Sequence, residues 1–363
     1  MSGAYERAGV DYATLDAAKR AALEAAASTA GYSLPRAALV EASLGEPAVV
    51  VDVGGLRLGF VLECLGTKSA IARAYEARGG AQRFEAVGYD TVAAAVNDCV
   101  CVGALPFVVN AYFATGSADW YSGGRHASLV AGWRRACAEA GAAWGGGESP
   151  TLSGLVEPDQ VDLAASAVGR VPDGVEPLLG EALAPGDEIV LVASSGLHAN
   201  GASLAREVAA RLPEGLGTEL PSGRELGEAL LDESVIYVRL VERLLGEALP
   251  VHYLSHVTGH GLRKLMRARR ELGYVVEHLP EVPEVLGFLA AAARLSPREA
   301  YGTLNMGVGL ACYLAPGSAG RAVELAAELG YRALHAGRVV DGPRRVVLEP
   351  VGVEFGAAEL ELR

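Results

Sequence analysis

The sequence from Val87 to Thr115 is V-G-Y-D-T-V-A-A-A-V-N-D-C-V-C-V-G-A-L-P-F-V-V-N-A-Y-F-A-T. Its Ala- and Val-rich part predicts a helix that opens at Asp90. Gly103 and Pro106 then predict the end of this helix, and the apolar run from Phe107 to Phe113 predicts a strand directly after it. We expect this apolar helix and strand to form the unit around which the rest of the chain folds.

Two carboxylates of the predicted helix, Asp90 and Asp98, are eight positions apart. At about 3.6 residues per turn they lie on nearly one face of the helix. One interpretation is structural: Asp90 interacts with the helix dipole, and Asp98 lies on a solvated face. The other follows from the apolar sequence around Asp98, because a buried carboxylate needs a partner, either a protein group or a metal ion.

The composition is typical of a globular enzyme with room for two domains: 363 residues, 51% hydrophobic and 21% charged. A net charge of −13, with no run of Lys and Arg, argues against a nucleic-acid partner. The five cysteines include no C-x-x-C pair, as expected in a reducing compartment. No apolar stretch is long enough to span a bilayer, so we expect a cytoplasmic protein with no membrane partner.

The N-terminal part predicts a helix from Leu15 to Ala30 and then a β-hairpin. The hairpin consists of two apolar runs, Pro47 to Val53 and Leu56 to Leu62. A Gly-Gly pair joins the runs, which is a typical two-residue hairpin turn.

The hexapeptide E-C-L-G-T-K follows the second of these runs. Glu63 would place a metal-binding oxygen at the strand end, and Lys68 would place a cation beside a polyphosphate. Between them, Gly66 and Thr67 would let the backbone approach a ligand closely. A strand end with a solvated lysine is the structural alternative, and the hexapeptide alone does not decide between the two.

A second glycine-rich segment, Trp144 to Pro150, follows a helix predicted from about Ser122 to Gly141. Its three glycines predict a backbone that bends tightly or approaches a ligand, with Glu148 at the turn. A strand from Val161 to Arg170 then closes the first half of the chain. The sequence P-D-G at residues 172–174 predicts the domain boundary.

The second half opens with a strand from Glu188 to Val192 and the sequence A-S-S-G-L-H-A-N-G-A-S-L-A-R, Ala193 to Arg206. A Ser/Gly turn that leads into a helix exposes backbone N–H groups and predicts an anion site. His198 and Asn200 would lie within reach of the anion. A helix N-cap with an uninvolved histidine is the alternative.

Three histidines, His252, His256 and His260, follow at intervals of four, a spacing that predicts metal ligands on a helix. Glycines on both sides of His260 and a strand-like pattern around His256 argue against a zinc site. We instead expect a strand, a T-G-H-G turn and a basic helix, at Tyr253 to Val257, Thr258 to Gly261 and Leu262 to Arg270. The turn amides and the helix N-terminus would favour a phosphate.

Taken in order, these motifs resemble those of the phosphoribosylformylglycinamidine cyclo-ligase family, also called the aminoimidazole ribonucleotide synthetase or PurM family. The matching segments span nearly the whole chain and are specific as a set. They are Y-x-x-A-G-V-D (Tyr5 to Asp11), G-T-K (Gly66 to Lys68), G-x-D-x-V-A-x-x-V-N-D (Gly88 to Asp98), A-x-P followed by Y-x-A-T-G (Ala104 to Gly116), G-G-E (Gly146 to Glu148), S-S-G-x-H-x-N-G (Ser194 to Gly201), H-x-T-G-x-G (His256 to Gly261) and N-x-G-V-G (Asn305 to Gly309).

The resemblance implies an α+β fold of two α/β domains of the PurM type, with residues 1–171 and 172–363 as the two domains. It also implies a homodimer in which the N-terminal sheets of two subunits meet. The implied enzyme is an ATP- and Mg²⁺-dependent C–N ligase of purine biosynthesis that acts on a small nucleotide. ATP phosphorylates the amide oxygen of formylglycinamidine ribonucleotide, a nitrogen attacks, and phosphate leaves as the imidazole ring closes.

The same resemblance implies roles for individual residues. The candidate metal acids are Glu63, Asp90, Asp98 and Glu148. The candidate nucleotide-site residues are these acids together with Gly66, Thr67, Lys68, Asn97 and Gly147. His198, Asn200 and Lys68 would contact the reacting groups, and Thr258, Gly259, His260 and Gly261 would hold the ribose phosphate.

Several ligand-facing positions depart from the family pattern. T-D-G-V-G-T-K is replaced by L-E-C-L-G-T-K, so that Glu63 replaces an Asp and Cys64 replaces a Gly. T-G-G-G is T-G-H-G, G-G-E-T is G-G-E-S, S-G-P-H is S-G-L-H, and a G-G-F-G segment expected near residues 40–46 is absent. Two alternatives therefore stay open: an ATP-dependent enzyme with another amide, selenide or thiamine-type phosphate acceptor, and a nucleotide-binding subunit with little turnover.

Overall fold

The computed structural model describes residues 12–360. Within them the chain forms two β-sheets, each with its own helices. The strands of the first sheet lie between residues 38 and 170, and those of the second lie between residues 188 and 356. The predicted motif from Tyr5 to Asp11 lies outside the described residues.

The first sheet contains β1 (Ala38–Leu39), β2 (Val49–Val53), β3 (Leu56–Cys64), β4 (Leu105–Thr115), β5 (Ala143–Glu148) and β6 (Val161–Arg170). Their order is β1-β2-β3-β6-β4-β5, and all neighbours are antiparallel except β4 and β5. The predicted hairpin is confirmed, since Val53 pairs with Leu56. Gly54 and Gly55 form its turn with positive φ angles of 64° and 93°, which glycine adopts without steric cost.

The helices of the first half are α1 (Tyr12–Ala27), α2 (Lys68–Ala77), α3 (Phe84–Cys101) and α4 (Gly124–Ala140). Every residue of α3 except Glu85 is buried, as expected for a helix that is apolar on all sides. It packs on β3 and β6 and against α4. Gly132 permits this close approach, because a Cβ there would lie 1.8 Å from the Glu85 carbonyl oxygen.

The prediction that the central helix opens at Asp90 was wrong, because α3 begins at Phe84. Gly88 interrupts the apolar run and normally disfavours a helix interior. Here its missing side chain is needed, since a Cβ would lie 2.2 Å from the Leu129 carbonyl oxygen. Asp90 therefore lies in the helix interior, out of reach of the N-terminal dipole.

The second sheet contains β7 (Glu188–Ala193), β8 (Val251–His256), β9 (Leu272–Val276), β10 (Val308–Leu314), β11 (Ala333–Asp341), β12 (Arg345–Leu348) and β13 (Val353–Gly356). Their order is β13-β12-β9-β11-β7-β10-β8, with only β12 and β9 parallel. The helices of this half are α5 (Ala202–Arg211), α6 (Leu226–Leu230), α7 (Val238–Gly246), α8 (Glu284–Ala292), α9 (Pro297–Tyr301) and α10 (Ala319–Glu328).

The predicted basic helix over residues 262–270 was also wrong in type, because the segment is a 3₁₀ helix, Gly261–Met266. Leu262 and Leu265 lie three positions apart and eclipse each other in this conformation, and both are fully buried. Among residues 12–360, no helix combines the length and the apolar character needed to cross a lipid bilayer.

Contacts between the two halves centre on α3, which also packs against β8 and α7. The face of α3 that carries Asp90, Asn97 and Asp98 contacts the second half through these residues. A helix of the first half thus supplies polar side chains to the domain contact.

Candidate active site

A polar cavity of about 270 Å³ lies where the two halves of the chain meet. The end of β3 and the face of α3 supply one side, and the loop before α5 and the T-G-H-G turn supply the other. The cavity brings together six of the residues predicted from the sequence: Glu63, Asp98, Asn200, Thr258, Gly259 and His260. Two predicted metal acids therefore share a site with most of the predicted phosphate-binding turn.

Asp98 and His256 form the central contact of this cavity. Asp98 Oδ1 lies 2.6 Å from His256 Nδ1, and both side chains are almost fully buried. Burial by itself raises the pKa of Asp98, but the hydrogen bond and charge of His256, together with Lys264 and Arg267, outweigh it and hold that pKa below its usual range. Asp98 is therefore ionised at neutral pH, and its position is fixed.

Glu63 is the second acid of the cavity. Gly59, Val61 and Glu63 share the face of β3 that is turned toward α3, because alternate residues of a strand lie on one side. Burial and the neighbouring Asp98 carboxylate raise the pKa of Glu63 to about 8. The pair of acids therefore retains a proton at neutral pH. A divalent cation fits this place, because Mg²⁺ prefers oxygen ligands and would displace the shared proton.

The raised pKa of Glu63 predicts a pH-dependent stability. Protonated Glu63 stabilises the fold fully below its unfolded pKa of 4.5, and this contribution is lost as the pH rises through about 8. We expect the melting temperature of the ligand-free protein to fall across this window. Glu63→Gln cannot titrate and should flatten the dependence in thermal denaturation series. If the melting temperatures of the wild type and of Glu63→Gln fell equally with pH, the raised pKa of Glu63 would be contradicted.

Cationic groups also border the cavity. Lys264 Nζ donates a hydrogen bond to Thr258 Oγ1 at 2.5 Å, and Arg267 Nε lies 3.5 Å from the Glu46 carboxylate. Burial, with the positive charge of Arg267, lowers the pKa of Lys264 to about 8. Burial and nearby cations lower the pKa of His260 to about 2, so that His260 is neutral. The hydroxyl and the two cations suit a phosphate group.

Lys68 and Asp90 form a buried ion pair outside the lining of this cavity. Lys68 Nζ donates to the Asp90 carboxylate and, at 3.0 Å, to the Asp232 carbonyl oxygen. Asp90 Oδ1 accepts a hydrogen bond from the Ser234 N–H at 2.6 Å. Both side chains of the pair are fully buried. The structure thus gives Asp90 a protein cation as its partner, while contact of Lys68 with a polyphosphate stays a prediction.

Asn97, Gly66 and Thr67 also lie outside the lining. The Asn97 side chain donates to the Val235 carbonyl oxygen and accepts from the Tyr237 N–H, each at 2.8 Å, so it joins the two halves of the chain. Gly66 and Thr67 form the turn between β3 and α2. Their predicted contacts with a nucleotide stay predictions.

Gly147 and Glu148 lie on β5, so Glu148 belongs to a strand and is not presented at a turn as predicted. β5 pairs in parallel with β4, and the register shifts between Trp144 and Gly147, where Gly146 has a positive φ of 104°. A Cβ on Gly147 would lie 1.9 Å from the Ala111 carbonyl oxygen. Glu148 is exposed on this edge strand, so the structure does not gather the four predicted acids at one point.

The loop between β7 and α5 carries His198 and Asn200. Asn200 lines the cavity, whereas His198 is buried beside it with a left-handed φ of 58°. His198 Nε2 lies 3.1 Å from the Ser195 backbone nitrogen and 3.4 Å from that of Val235. Burial and the positive charge of His256 lower the pKa of His198 well below its usual value. His198 is therefore a neutral imidazole.

His252, His256 and His260 do not converge. The first two lie on β8, where four residues span about 13 Å. His252 Nδ1 instead lies 2.8 Å from Asp187 Oδ2. In the part of the chain that the structure describes, no three His, Cys, Asp or Glu side chains are placed to hold a metal ion together.

The sequence reasoning missed the pairing of His256 with Asp98 and the cavity positions of Glu46 and Arg267. Asp98 and His256 are 158 positions apart, a separation at which no local pattern predicts contact. One signal was available for His256. It ends a strand one residue before a glycine turn, and ligand-binding side chains are common where a strand passes into a loop.

Two family models match the chain in tandem. The model described as "AIR synthase related protein, N-terminal domain" matches residues 45–171, and the one described as "AIR synthase related protein, C-terminal domain" matches residues 184–349. The chain belongs to the AIR synthase related family. The cavity of this AIR synthase related protein takes Asp98 from the first matched segment and His256 from the second.

Similar proteins confirm the resemblance found in the sequence. The phosphoribosylformylglycinamidine cyclo-ligase of Methanothermobacter thermautotrophicus is 34% identical, over 84% of this chain and 86% of the relative. That of Sorangium cellulosum is 36% identical, over 94% and 96%. Hydrogenase maturation protein HypE, solved in complex with ATP, superposes with a TM-score of 0.58 at 20% identity, over 82% of this chain and 83% of HypE. The expected PurM-like fold of two α/β domains is confirmed.

Proposed function

We propose that this protein is an ATP-dependent cyclo-ligase that converts formylglycinamidine ribonucleotide to aminoimidazole ribonucleotide. The observation that carries the proposal is the cavity between the two matched domains, which holds the Glu63 and Asp98 acids beside Lys264 and Thr258. Relatives at 34% and 36% identity bear the cyclo-ligase name. HypE, whose fold is similar, was solved with ATP.

Mg²⁺ fits the acid pair of the cavity. Glu63 and Asp98 would hold it by carboxylate oxygens, and water and phosphate oxygens would complete its shell, as is usual for this ion. Bound there, Mg²⁺ would offset the negative charge of the phosphoryl group during transfer. We propose only these two acids as ligands, because Asp90 is neutralised by Lys68 and Glu148 lies on an exposed edge strand.

The remaining side chains of the cavity would bind and orient the substrates. The Thr258 hydroxyl, the Lys264 ammonium group and the turn amides would hold the ribose phosphate, since charge-assisted bonds to phosphate are strong. The amide oxygen of the acceptor attacks the γ-phosphorus and ADP leaves. The ring nitrogen then attacks the activated carbon, and that same oxygen departs with phosphate as a proton is released. His256 Nδ1 donates a hydrogen bond to Asp98, so Nε2 is the ring nitrogen of His256 that would contact a substrate.

An acceptor panel tests the proposal against its nearest alternative. Purified protein, ATP and Mg²⁺ would be incubated with formylglycinamidine ribonucleotide, with thiamine monophosphate and with selenide, and ADP would be measured. We expect ADP release above background only with the ribonucleotide. ADP release with another acceptor would assign the protein to a different reaction. Nucleotide binding without any ADP release would indicate a nucleotide-binding subunit without turnover.

We also propose that two copies pair through their first sheets. Apart from Trp144, which packs on Trp133 of α4, five large apolar side chains on this sheet are at least one-third exposed: Val53, Leu56, Phe60, Leu62 and Phe107. Leu62 alone is 75% exposed on the face of β3 that points away from α3. Exposed apolar side chains gathered on one sheet mark an interaction surface.

Leu62→Asp should therefore dissociate the dimer. A charge buried in the interface without a partner costs about 3–5 kcal/mol, which weakens association by roughly 10²-fold or more. Sedimentation velocity should show a monomer for this variant. Leu155→Asp is the matched control, because Leu155 is 80% exposed on a loop outside the sheet, and this variant should remain dimeric. A wild-type monomer at high concentration would refute the pairing.

A further inference from the structure

The last part of the described chain lies outside the two matched family models. Residues 350–360, here called the C-terminal segment, follow the last residue that the second model matches. The segment forms β13, which pairs with β12 at the edge of the second sheet, and a 3₁₀ turn, Ala357–Glu359. The side chains of Val353, Phe355 and Leu360 are buried. The segment is therefore packed against the second half of the chain.

The C-terminal segment packs on α9 and on the glycine that follows it. The Phe355 ring lies against Gly302, where a Cβ would be 3.2 Å from a ring carbon, and the Arg298 guanidinium lies 5.2 Å from the centre of the same ring. Arg298 Nη2 also donates to both carboxylate oxygens of Glu359 at 2.7 Å. Because this ion pair is partly exposed, the burial of Phe355 contributes more to the anchoring than the charges do.

Arg263 connects the C-terminal segment to the T-G-H-G turn. Its guanidinium donates to three backbone carbonyl oxygens: Nε to that of His260 at 3.1 Å, Nη1 to that of Glu359 at 3.2 Å, and Nη2 to that of Gly302. One acceptor belongs to the turn, one to the C-terminal segment and one to the end of α9. A guanidinium presents five N–H donors in a rigid plane, so this one side chain holds all three elements together.

The contact at His260 fixes the shape of the turn. His260 has a left-handed φ of 69°, a conformation that a residue with a Cβ keeps only when its surroundings enforce it. Arg263 holds the carbonyl of the peptide between His260 and Gly261, and the N–H of that peptide donates to the Thr258 carbonyl oxygen at 3.2 Å. A Cβ on Gly261 would lie 2.3 Å from the Tyr301 carbonyl oxygen, so the turn also fits against the end of α9. One planar peptide thus connects Arg263 to Thr258, which lines the cavity.

We propose that Arg263 is a positioning residue of the phosphate site and that the C-terminal segment acts on this site through Arg263. The segment holds the guanidinium, and the guanidinium holds the T-G-H-G turn. The turn in turn sets where the Thr258 hydroxyl and the Lys264 ammonium group meet the ribose phosphate. Arg263 does not line the cavity, so it contacts no substrate itself. The inference rests on the proposed function for its ligand, the phosphate of formylglycinamidine ribonucleotide.

Hydrogen exchange of the ligand-free protein tests the coupling without reference to any reaction. Phe355→Ala loosens the C-terminal segment and leaves the turn and Arg263 unchanged in sequence. We expect about tenfold faster exchange in peptides that cover residues 258–266, as well as in β13. Leu325→Ala is the matched control, because Leu325 is also buried and its helix, α10, packs on β7 and β11; it should leave exchange in the turn unchanged. Faster exchange confined to β12 and β13 in Phe355→Ala would overturn the proposal.

Steady-state kinetics separate positioning from a purely structural role. Arg263→Ala should raise the KM for formylglycinamidine ribonucleotide by about 10- to 10²-fold, since a shift of about 1 Å in a binding group has effects of this size. The KM for ATP and kcat should stay within about threefold of the wild type. Arg263→Lys should restore little, because an ammonium group cannot hold three carbonyl oxygens in one plane. A structural role predicts the opposite: kcat falls with the folded fraction, and both KM values stay unchanged.

The double variant Arg263→Ala with Phe355→Ala shows whether the C-terminal segment acts through Arg263. If it does, Phe355→Ala raises the KM for the ribonucleotide in the wild type and has no further effect in Arg263→Ala. Multiplied effects on KM would overturn this order of action. Absence of ribonucleotide turnover in the wild type would reject the proposed function. Calorimetric titration with ribose 5-phosphate then measures the phosphate site directly, and equal affinities of the wild type and Arg263→Ala would overturn the positioning role.

Discussion

Asp98→Asn is expected to lower kcat/KM by about 10²- to 10³-fold while the fold stays intact. Asn keeps an oxygen that can accept the hydrogen bond of His256, so the contact between the two halves survives. It removes the charge that would hold Mg²⁺, and charge stabilisation by a metal is worth several kcal/mol in the transition state. At about 1.4 kcal/mol for each factor of ten, that loss gives the stated range.

Calorimetric titration with ATP, with and without Mg²⁺, is the direct measurement for Asp98. The variant should bind nucleotide weakly and lose the gain in affinity that Mg²⁺ gives the wild type. Asp119→Asn is the control, because Asp119 is an exposed acid outside the cavity. An unchanged Mg²⁺-dependent affinity in Asp98→Asn would remove this residue from the metal site.

Asp90→Asn is expected to destabilise the protein by about 3–5 kcal/mol, because it leaves the Lys68 ammonium group buried without a counter-ion. Asn at this position can still accept from the Ser234 N–H, so the loss reports on the ion pair alone. Chemical denaturation measures the change. In the double variant Lys68→Met with Asp90→Asn, most of the stability should return, because no uncompensated charge stays in the interior.

The control for this ion pair is Asp159→Asn, which breaks the contact of Asp159 with Arg73. Asp159 is 55% exposed, so this change should cost less than about 1 kcal/mol. Equal losses of stability in Asp90→Asn and Asp159→Asn would show that burial does not increase the cost of breaking the Lys68–Asp90 pair. Retained activity in the folded double variant would further exclude a direct role of Lys68 at the polyphosphate.

Local patterns predicted much of the fold. The hairpin over residues 49–64 and the strand Val161–Arg170 follow from short-range rules, namely paired glycines and alternating apolar residues. Two of the failures have a common cause. The predicted start of the helix at Asp90 missed that Gly88 packs against the Leu129 carbonyl oxygen, and the turn predicted at Gly147 missed that this glycine packs against the Ala111 carbonyl oxygen. Both contacts join residues that lie far apart in the sequence.

The sequence predicted which residues belong to the candidate site, but not which side chains each of them contacts. The motifs pointed to Glu63, Asp98 and the T-G-H-G turn, and the structure places them around one cavity. Asp90 and Asp98 were both predicted as metal ligands, since they lie on nearly one face of a helix. The fold separates them, since Lys68 reaches Asp90 whereas His256 reaches Asp98. Helical spacing predicts the direction of a side chain, whereas the residue that it contacts depends on tertiary packing.

Transfer of labelled oxygen is the measurement that tests the cyclo-ligase reaction most directly. Formylglycinamidine ribonucleotide labelled with ¹⁸O at its amide oxygen would be incubated with the protein, ATP and Mg²⁺, and the products would be analysed by mass spectrometry. The account predicts one ADP and one aminoimidazole ribonucleotide for each turnover, with the label in the released phosphate. Phosphate without label, or ADP without the aminoimidazole product, would contradict it.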